Sequence, residues 1–190
     1  MNIFFLMAYS LTDKDNKDRI DADTSRYMKW ESNGKSMNSL KRFNRCCKEQ
    51  EFRNVLRYRF RNGPLISKLI GKIGFAFSPA DRTVEIMGDI EGGLMVSHRF
   101  SVICLKSAGK NLRVGPGVVI GRNGKEFPII GNNVYIASNS TIVGGITIGD
   151  NVIIGAGSVV TKDVPSDCVV VGNPAKVLRA ITEKDYNEIM

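Results

Sequence analysis

Histidine is almost missing from this chain: His98 is the only one in 190 residues. A single imidazole is too few for the common zinc-binding spacings, which combine several His and Cys ligands. Cysteine is scarce as well. Cys46, Cys47, Cys104 and Cys168 form no C-x-x-C pair, and the adjacent Cys46 and Cys47 are poorly placed to bridge each other. They read as reduced thiols of a cytoplasmic protein. No apolar run approaches the roughly 20 residues needed to span a bilayer. The start, MNIFFLMAYSL, has an apolar patch but neither a basic n-region nor a small-residue cleavage site, and the charged stretch TDKDNKDRIDAD follows it. It reads as a helix or a frayed end rather than a signal peptide. An interfacial role for it is the less favoured reading.

What is present fits a soluble globular protein, 43% hydrophobic and 24% charged, with the length of one ordinary domain and a small appendage. The net charge is +8, and the basic residues concentrate in the N-terminal half, as in KRFNRCCK and FRNVLRYRFRNG. Nucleic-acid binding would account for such charge, and so would a polyanionic small molecule. Yet EFRNVLRYRFRN sets Phe52, Leu56 and Phe60 on one stripe, so it is first an amphipathic helix with a solvated basic face. No nucleic-acid partner is expected.

The chain changes texture near residue 80. Before it, residues 1–79 form a helical segment. DADTSRYMKW carries an Asp or Thr positioned to cap a helix. MNSLKRFNRCCK and EFRNVLRYRF read as two further helices, Gly63-Pro64 breaks the chain, and PLISKLIGKIGFAF follows as a short, mostly apolar helix. Residues 80–175 are rich in Val, Ile, Gly and Asn, and 176–190 read as a helical tail.

The middle segment repeats. Every sixth residue from Val84 is apolar: Val84, Ile90, Val96, Val102, Ala108, Val114, Ile120. The phase then slips by four residues at GRNGKEFP, residues 121–128, and a second series runs Ile130, Ile136, Ile142, Ile148, Ile154, Val160. Period six is neither the helical period nor simple strand alternation. It suits a solenoid of three short strands per coil, one aliphatic side chain pointing inward from each, with coils stacked about 4.8 Å apart. On that spacing Val84, Val102 and Ile120 stack on one face. The loop extruded at the phase slip is where function tends to sit in a regular scaffold, or it is a tolerated surface insertion.

These residues resemble a known family. The run IIGNNVYIASNSTIVGGITIGDNVIIGAGSVVTKDVPSDCVVVGNPAKVL resembles the hexapeptide acyltransferases, whose last coil typically ends in Gly-Asn-Pro-Ala-Lys. GGLMVSHRFSVICL is similar to the glycine-rich approach to a histidine in the serine acetyltransferase branch. DRIDADTSRY and FRNVLRYRF resemble the helical segment of that branch. The resemblance implies a left-handed parallel β-helix, a handedness opposite to the usual crossover rule, preceded by an α-helical segment. It implies a homotrimer with active sites in clefts between subunits; the short N-terminal region favours a trimer over the dimer of trimers of longer relatives. Acetyl-CoA, as co-substrate, would lie along the later coils against Gly121, Ser138, Gly144 and Ala156, with Lys162 reaching one of its phosphates. No metal is implied.

In this resemblance His98 matches the general base. A hydroxyl is a weak nucleophile at neutral pH, so a base within hydrogen-bond reach must take its proton as it attacks the thioester. Backbone N–H groups or the loop near Lys125 would hold the oxyanion. The acceptor side departs from the family pattern. The carboxylate expected fifteen residues before the base is Thr83, with Asp81 and Glu85 close by as candidates to replace it. The Asp expected just before the base, where it binds the substrate amine, is Ser97. The loop carries no Asp-Arg-His-Pro run; Arg122 or Lys125 stands in for its Arg.

The reading is therefore an acetyl-CoA-dependent, cytoplasmic O-acetyltransferase in which both substrates bind before direct transfer. Serine O-acetylation, the first step of cysteine synthesis from serine, leads. A sugar O-acetyltransferase of surface-polysaccharide synthesis is the alternative, and a non-catalytic β-helix scaffold subunit is the alternative of another class. The carbonic anhydrases built on the same scaffold need three His ligands. Cys104, six residues after His98, reads as packing on the next face, not as an acyl-carrying nucleophile.

Overall fold

The computed structural model describes residues 3–31, 38–80 and 83–189. They fall into two compact units that divide between Arg82 and Thr83.

The first unit is helical: α1 (Ile3–Ser10), α2 (Lys14–Glu31), α3 (Ser39–Cys46), α4 (Gln50–Asn62) and α5 (Leu65–Phe77). The apolar N-terminal patch thus forms a helix. Asp13 starts α2 by accepting the Asn16 backbone N–H at 2.9 Å, and Asn38 starts α3 by accepting that of Lys41 at 2.9 Å. Phe5, Phe43, Phe52, Leu56 and Phe60 make the core, with the Phe43 ring 4.8 Å from Tyr9 and 6.1 Å from Phe52. The stripe Phe52, Leu56 and Phe60 is buried as its spacing predicts. Cys46 and Cys47 are buried and unbridged.

Two expectations fail here. DADT lies inside α2 and caps nothing. Thr24 donates its hydroxyl to the Ile20 carbonyl at 2.7 Å. Asp23 is fully buried and grips Arg59, with Nε to Oδ2 at 2.8 Å and Nη2 to Oδ1 at 3.1 Å. For the same reason the basic face of α4 is not wholly solvated, since Arg59 is 2% exposed. A fork-on-fork ion pair inside an aromatic core satisfies both charges at once, and neither residue is tolerable there alone.

Residues 83–189 wind as a parallel β-solenoid. Its strands are β1 (Val84–Ile90), β2 (Met95–Val96), β3 (Ser101–Ala108), β4 (Arg113–Val114), β5 (Val119–Gly121), β6 (Ile129–Ile130), β7 (Val134–Ile136), β8 (Thr141–Val143), β9 (Thr147–Ile148), β10 (Val152–Ile154), β11 (Val159–Val160), β12 (Cys168–Gly172) and β13 (Ala175–Ala180), followed by helix α6 (Glu183–Ile189). Three faces result. The starts of β1 and β3 continue into β5, β8 and β11; their ends continue into β6 and β9; β2, β4, β7, β10 and β12 make the third face. Antiparallel β13 covers β12.

Aliphatic side chains stack inside. Ile86, Ile103, Ile120, Ile142 and Val160 line the first face. Ile90, Ala108, Ile130 and Ile148 line the second, and Val96, Val114, Ile136, Ile154 and Val170 the third. Burying each Val or Ile stabilises the unit by about 1.5–3 kcal/mol before entropy is charged. The six-residue series from Ile130 to Val160 is therefore all interior. The earlier series breaks at Val102, which points outward; Val84 pairs with Ser101, and Ile103 is the residue that stacks beneath Ile120. The corner at 97–100 carries an extra residue, and the interval from Ile103 to Ala108, one residue short, restores the phase where β3 shifts register against Gly88 of β1.

The corner between the second and third faces holds a column of left-handed residues: Asn111, Asn133, Asn151 and Asp167, at φ of 55° to 62°. Asn and Asp tolerate this region. Each amide donates to the next side chain: Asn111 to Asn133 at 2.9 Å, Asn133 to Asn151 at 2.9 Å, and Asn151 to Asp167 at 2.7 Å.

Candidate active site

The site candidates gather along one face of the solenoid. At the corner where the third face turns into the first, the lower coils use three residues, 115–117, 137–139 and 155–157, with one left-handed residue each: Gly117, Asn139 and Gly157. The corner at 97–100 uses four, and two of them are left-handed. These are His98 at φ 67° and Phe100 at φ 64°. Left-handed backbone at two non-glycine residues of one corner stores strain, and such strain marks a place where geometry is held for use. Both side chains are exposed. The backbone N–H of Ser97 still joins the ladder, donating to Val114 O at 2.8 Å.

Thr83 braces this corner. Its hydroxyl accepts the Phe100 backbone N–H at 3.4 Å. Thr83 is thus beside the His98 turn, as the resemblance requires of whatever stands at that position. Glu85 lies further along the ladder, opposite Val102 and next to Cys104. Asp81 lies outside the described residues. Burial first, and then Glu85, push the Cys104 thiol pKa up, which keeps it protonated and a poor nucleophile.

Ser138 and Ala156 continue the His98 edge downward, each in the corner of a lower coil. Small, accessible side chains here leave the edge shallow. Behind them Ser101, Ser140 and Ser158 are buried, and their hydroxyls donate to Gly115 O at 3.1 Å, Gly155 O at 3.0 Å and Gly155 O at 2.6 Å.

The opposite edge of the same face carries the loop. Its tip is a tight turn with Gly124 at φ 85°, closed by an antiparallel bridge between Asn123 and Glu126. Arg122 packs its guanidinium over the Phe127 ring at 5.7 Å, and Arg122 and Lys125 are both exposed. The loop folds onto the next coil, where the Gly144 N–H donates to Gly121 O at 3.1 Å. A Cβ on Gly145 would come within 2.6 Å of Glu126 Cβ, so glycine is what lets the loop lie down. Gly121 faces open space, Gly144 is at φ 109°, and Lys162 is exposed one coil below. Between the two edges Val102 and Val119 point outward and are exposed.

The structure thus puts His98, Ser97, Ser138 and Ala156 on one edge and Gly121, Arg122, Lys125, Gly144 and Lys162 on the other. Sequence reasoning missed Phe100 and the bracing hydroxyl of Thr83. Only the count of residues in the corner could have signalled them. Among the described residues no group of three or more His, Cys, Asp or Glu side chains is placed to hold a metal ion.

Comparison with known proteins agrees with this architecture. The repeat family described as bacterial transferase hexapeptide (six repeats) matches residues 127–162. A serine acetyltransferase of Synechococcus elongatus is 41% identical over 92 residues, covering 45% of this chain and 38% of its own. A galactoside O-acetyltransferase of Escherichia coli is 44% identical over 91 residues, covering 40% and 45%. The chain thus spans less than half the length of these curated relatives. Among solved structures, serine acetyltransferase from Brucella abortus superposes with a TM-score of 0.70 at 20% identity over 95% of this chain and 75% of that one, which speaks for the fold.

Proposed function

Starting from a chain that carries the bacterial transferase hexapeptide repeat and matches serine acetyltransferases in sequence, we propose an acetyl-CoA-dependent O-acetyltransferase with His98 as its general base. The observation that carries the proposal is the strained four-residue corner that projects the only histidine at the edge of a face whose other edge bears the extruded loop.

In this reading the imidazole of His98 takes the proton of an acceptor hydroxyl as its oxygen attacks the thioester carbonyl carbon. A C–O bond forms, the C–S bond breaks, and the proton passes from His98 to the departing sulfur. A carboxylate near the corner, Asp81 or Glu85, would orient the ring. Ser138 and Ala156 on the His98 edge of one copy and Gly121 and Gly144 on the loop edge of the next would together take the pantetheine arm, with Lys162 on a phosphate. Arg122 and Lys125 would hold the acceptor, and Ser97 would meet it beside the base. A homotrimer supports this best. His98 and the loop lie at opposite edges of one face, and exposed Val102 and Val119 lie between them. Three copies around an axis along the solenoid would bury those valines and bring the loop of one copy to His98 of the next. Four cysteines with no disulfide among them suit the cytoplasm.

L-Serine is the leading acceptor, as the first step of cysteine synthesis. A sugar hydroxyl is the second reading. It is favoured by Ser97, which removes the carboxylate that would bind an amine, and by the match to a galactoside O-acetyltransferase. The test is release of free thiol from acetyl-CoA with L-serine, sugars and nucleotide-sugars, in the wild type and in His98→Ala. A base of this kind contributes about 10²- to 10⁴-fold, and the variant should lose that much. Turnover with serine assigns both base and acceptor. Turnover with a sugar alone keeps the base and moves the acceptor. No turnover and no acetyl-CoA binding would leave a scaffold.

A further inference from the structure

The whole net charge of the protein lies in one unit. Residues 1–82 hold 17 Lys and Arg against 9 Asp and Glu, whereas residues 83–190 hold 10 against 10. The same unit carries an apolar surface that its own fold leaves open. On α5, Leu65, Ile66, Leu69, Ile73 and Phe77 are 47% to 77% exposed. At 100° per residue these five fall within one sector of about 120°. The opposite side of α5 is the buried one. There Gly71 meets Phe60 and Gly74 meets Phe5 so closely that an added Cβ would lie 3.0 Å and 2.5 Å from the rings. The helix is thus packed by its glycines and presents its aliphatic side chains outward. α1, packed against α5, likewise exposes Ile3 and Met7, with Leu11 just beyond it. Phe4 stacks on Phe77 at 5.6 Å and links the two helices.

Cations border this surface. Lys68 and Lys72 sit one turn apart in the sector of α5 beside the aliphatic one. With Arg57 and Arg61 of α4 they line a cavity of about 310 Å³ that also has Phe60 and Phe75 in its wall. Among the described residues no carboxylate lines it.

We infer that the helical unit docks on an anionic phospholipid surface: the α5 stripe enters the acyl boundary and the Arg57–Arg61–Lys68–Lys72 cavity receives a lipid phosphate. A 13-residue helix is too short to span a bilayer, and among the described residues no helix is long and apolar enough to do so. It is well suited to lie in the interface, where an apolar face bordered by lysines gains from both burial and charge. Other occupants fit less well. A second copy would bring a like charge of the same size and set Lys68 and Lys72 against it. Nucleic acid would satisfy the cations and leave the stripe in water. The proposal is independent of the acetyl-transfer reading.

The test is co-sedimentation of the full chain with vesicles of phosphatidylcholine alone and of phosphatidylcholine with phosphatidylglycerol in equal parts. The chain should bind only the second kind, and less as salt rises. Leu69→Glu with Ile73→Glu should cut partitioning about tenfold or more. Lys68→Gln and Lys72→Gln should weaken it roughly fivefold each. All four side chains lie at or near the surface, so circular dichroism should not change. Absence of wild-type binding, or equal binding to both vesicles, overturns the proposal. So does a fall in molar mass by light scattering in Leu69→Glu/Ile73→Glu without vesicle binding by the wild type, which would make the face a contact between copies.

Discussion

The two units solve the same problem by opposite means. The solenoid repeats one small solution: an aliphatic side chain per strand, a small or left-handed residue at each corner, and no net charge. The helical unit repeats nothing. It closes on a cluster of aromatic rings and the buried Asp23–Arg59 ion pair, and carries every excess positive charge of the chain. Periodic packing spreads stability over many equivalent contacts. Aperiodic packing concentrates it in a few. The comparison can be broken by removing one element from each.

The largest effect should come from Asp23→Ala. It removes the bidentate partner of Arg59 in the core, and breaking a buried pair from one side costs about 3–5 kcal/mol. Chemical denaturation should show the helical unit melting first, and a double change of Asp23 and Arg59 to apolar residues should recover much of the loss. If Asp23→Ala is silent, the pair is not what closes this unit. Next is Ile142→Ala, at the middle of the first stack. A cavity of this kind costs about 2–5 kcal/mol, and in a solenoid the loss is felt by both adjoining coils. Amide exchange should rise in β5 and β11 together; a rise confined to β8 would contradict the nearest-neighbour picture. The smallest effect should come from the corner column. Asn133→Ala loses two side-chain hydrogen bonds and puts alanine at φ 55°, a combined cost of about 1–3 kcal/mol. Asn133→Gly keeps the backbone relaxed and should cost less. Equal losses in the two variants would mean that the conformation of Asn133 contributes nothing.

The same contrast decides what could be read from residues alone. In the solenoid a period of six was legible because every interior position faces the same environment. It failed at Val102 because the corner at 97–100 takes one residue more than the corners below, and the count returns between Ile103 and Ala108, where β3 shifts register against β1. That extra residue accompanies the left-handed conformation of His98, so the lapse in the pattern and the candidate site coincide. In the helical unit the stripe Phe52, Leu56 and Phe60 was legible. DADT was not, because a cap and a buried acid look alike until Arg59 is placed beside Asp23. Nor was the outward face of α5, since the burial of that helix is set by Gly71 and Gly74, which carry no hydropathy signal. The pairing of His98 with a loop across a face came from the resemblance; the bracing by Thr83 is a tertiary contact that no local pattern predicts.

The antiparallel strand β13 has a further consequence. A stack of parallel coils ends in an open row of backbone donors and acceptors, which is a template for another stack to continue. Along the third face, β13 covers that row and runs against the grain, and beyond it Asp185 accepts hydrogen bonds from Arg179 and Thr182 to pin the chain down. An incoming coil would meet a strand of the wrong polarity on its landing edge. The last hairpin therefore acts as a chain terminator that keeps a self-complementary solenoid from growing end to end into fibrils.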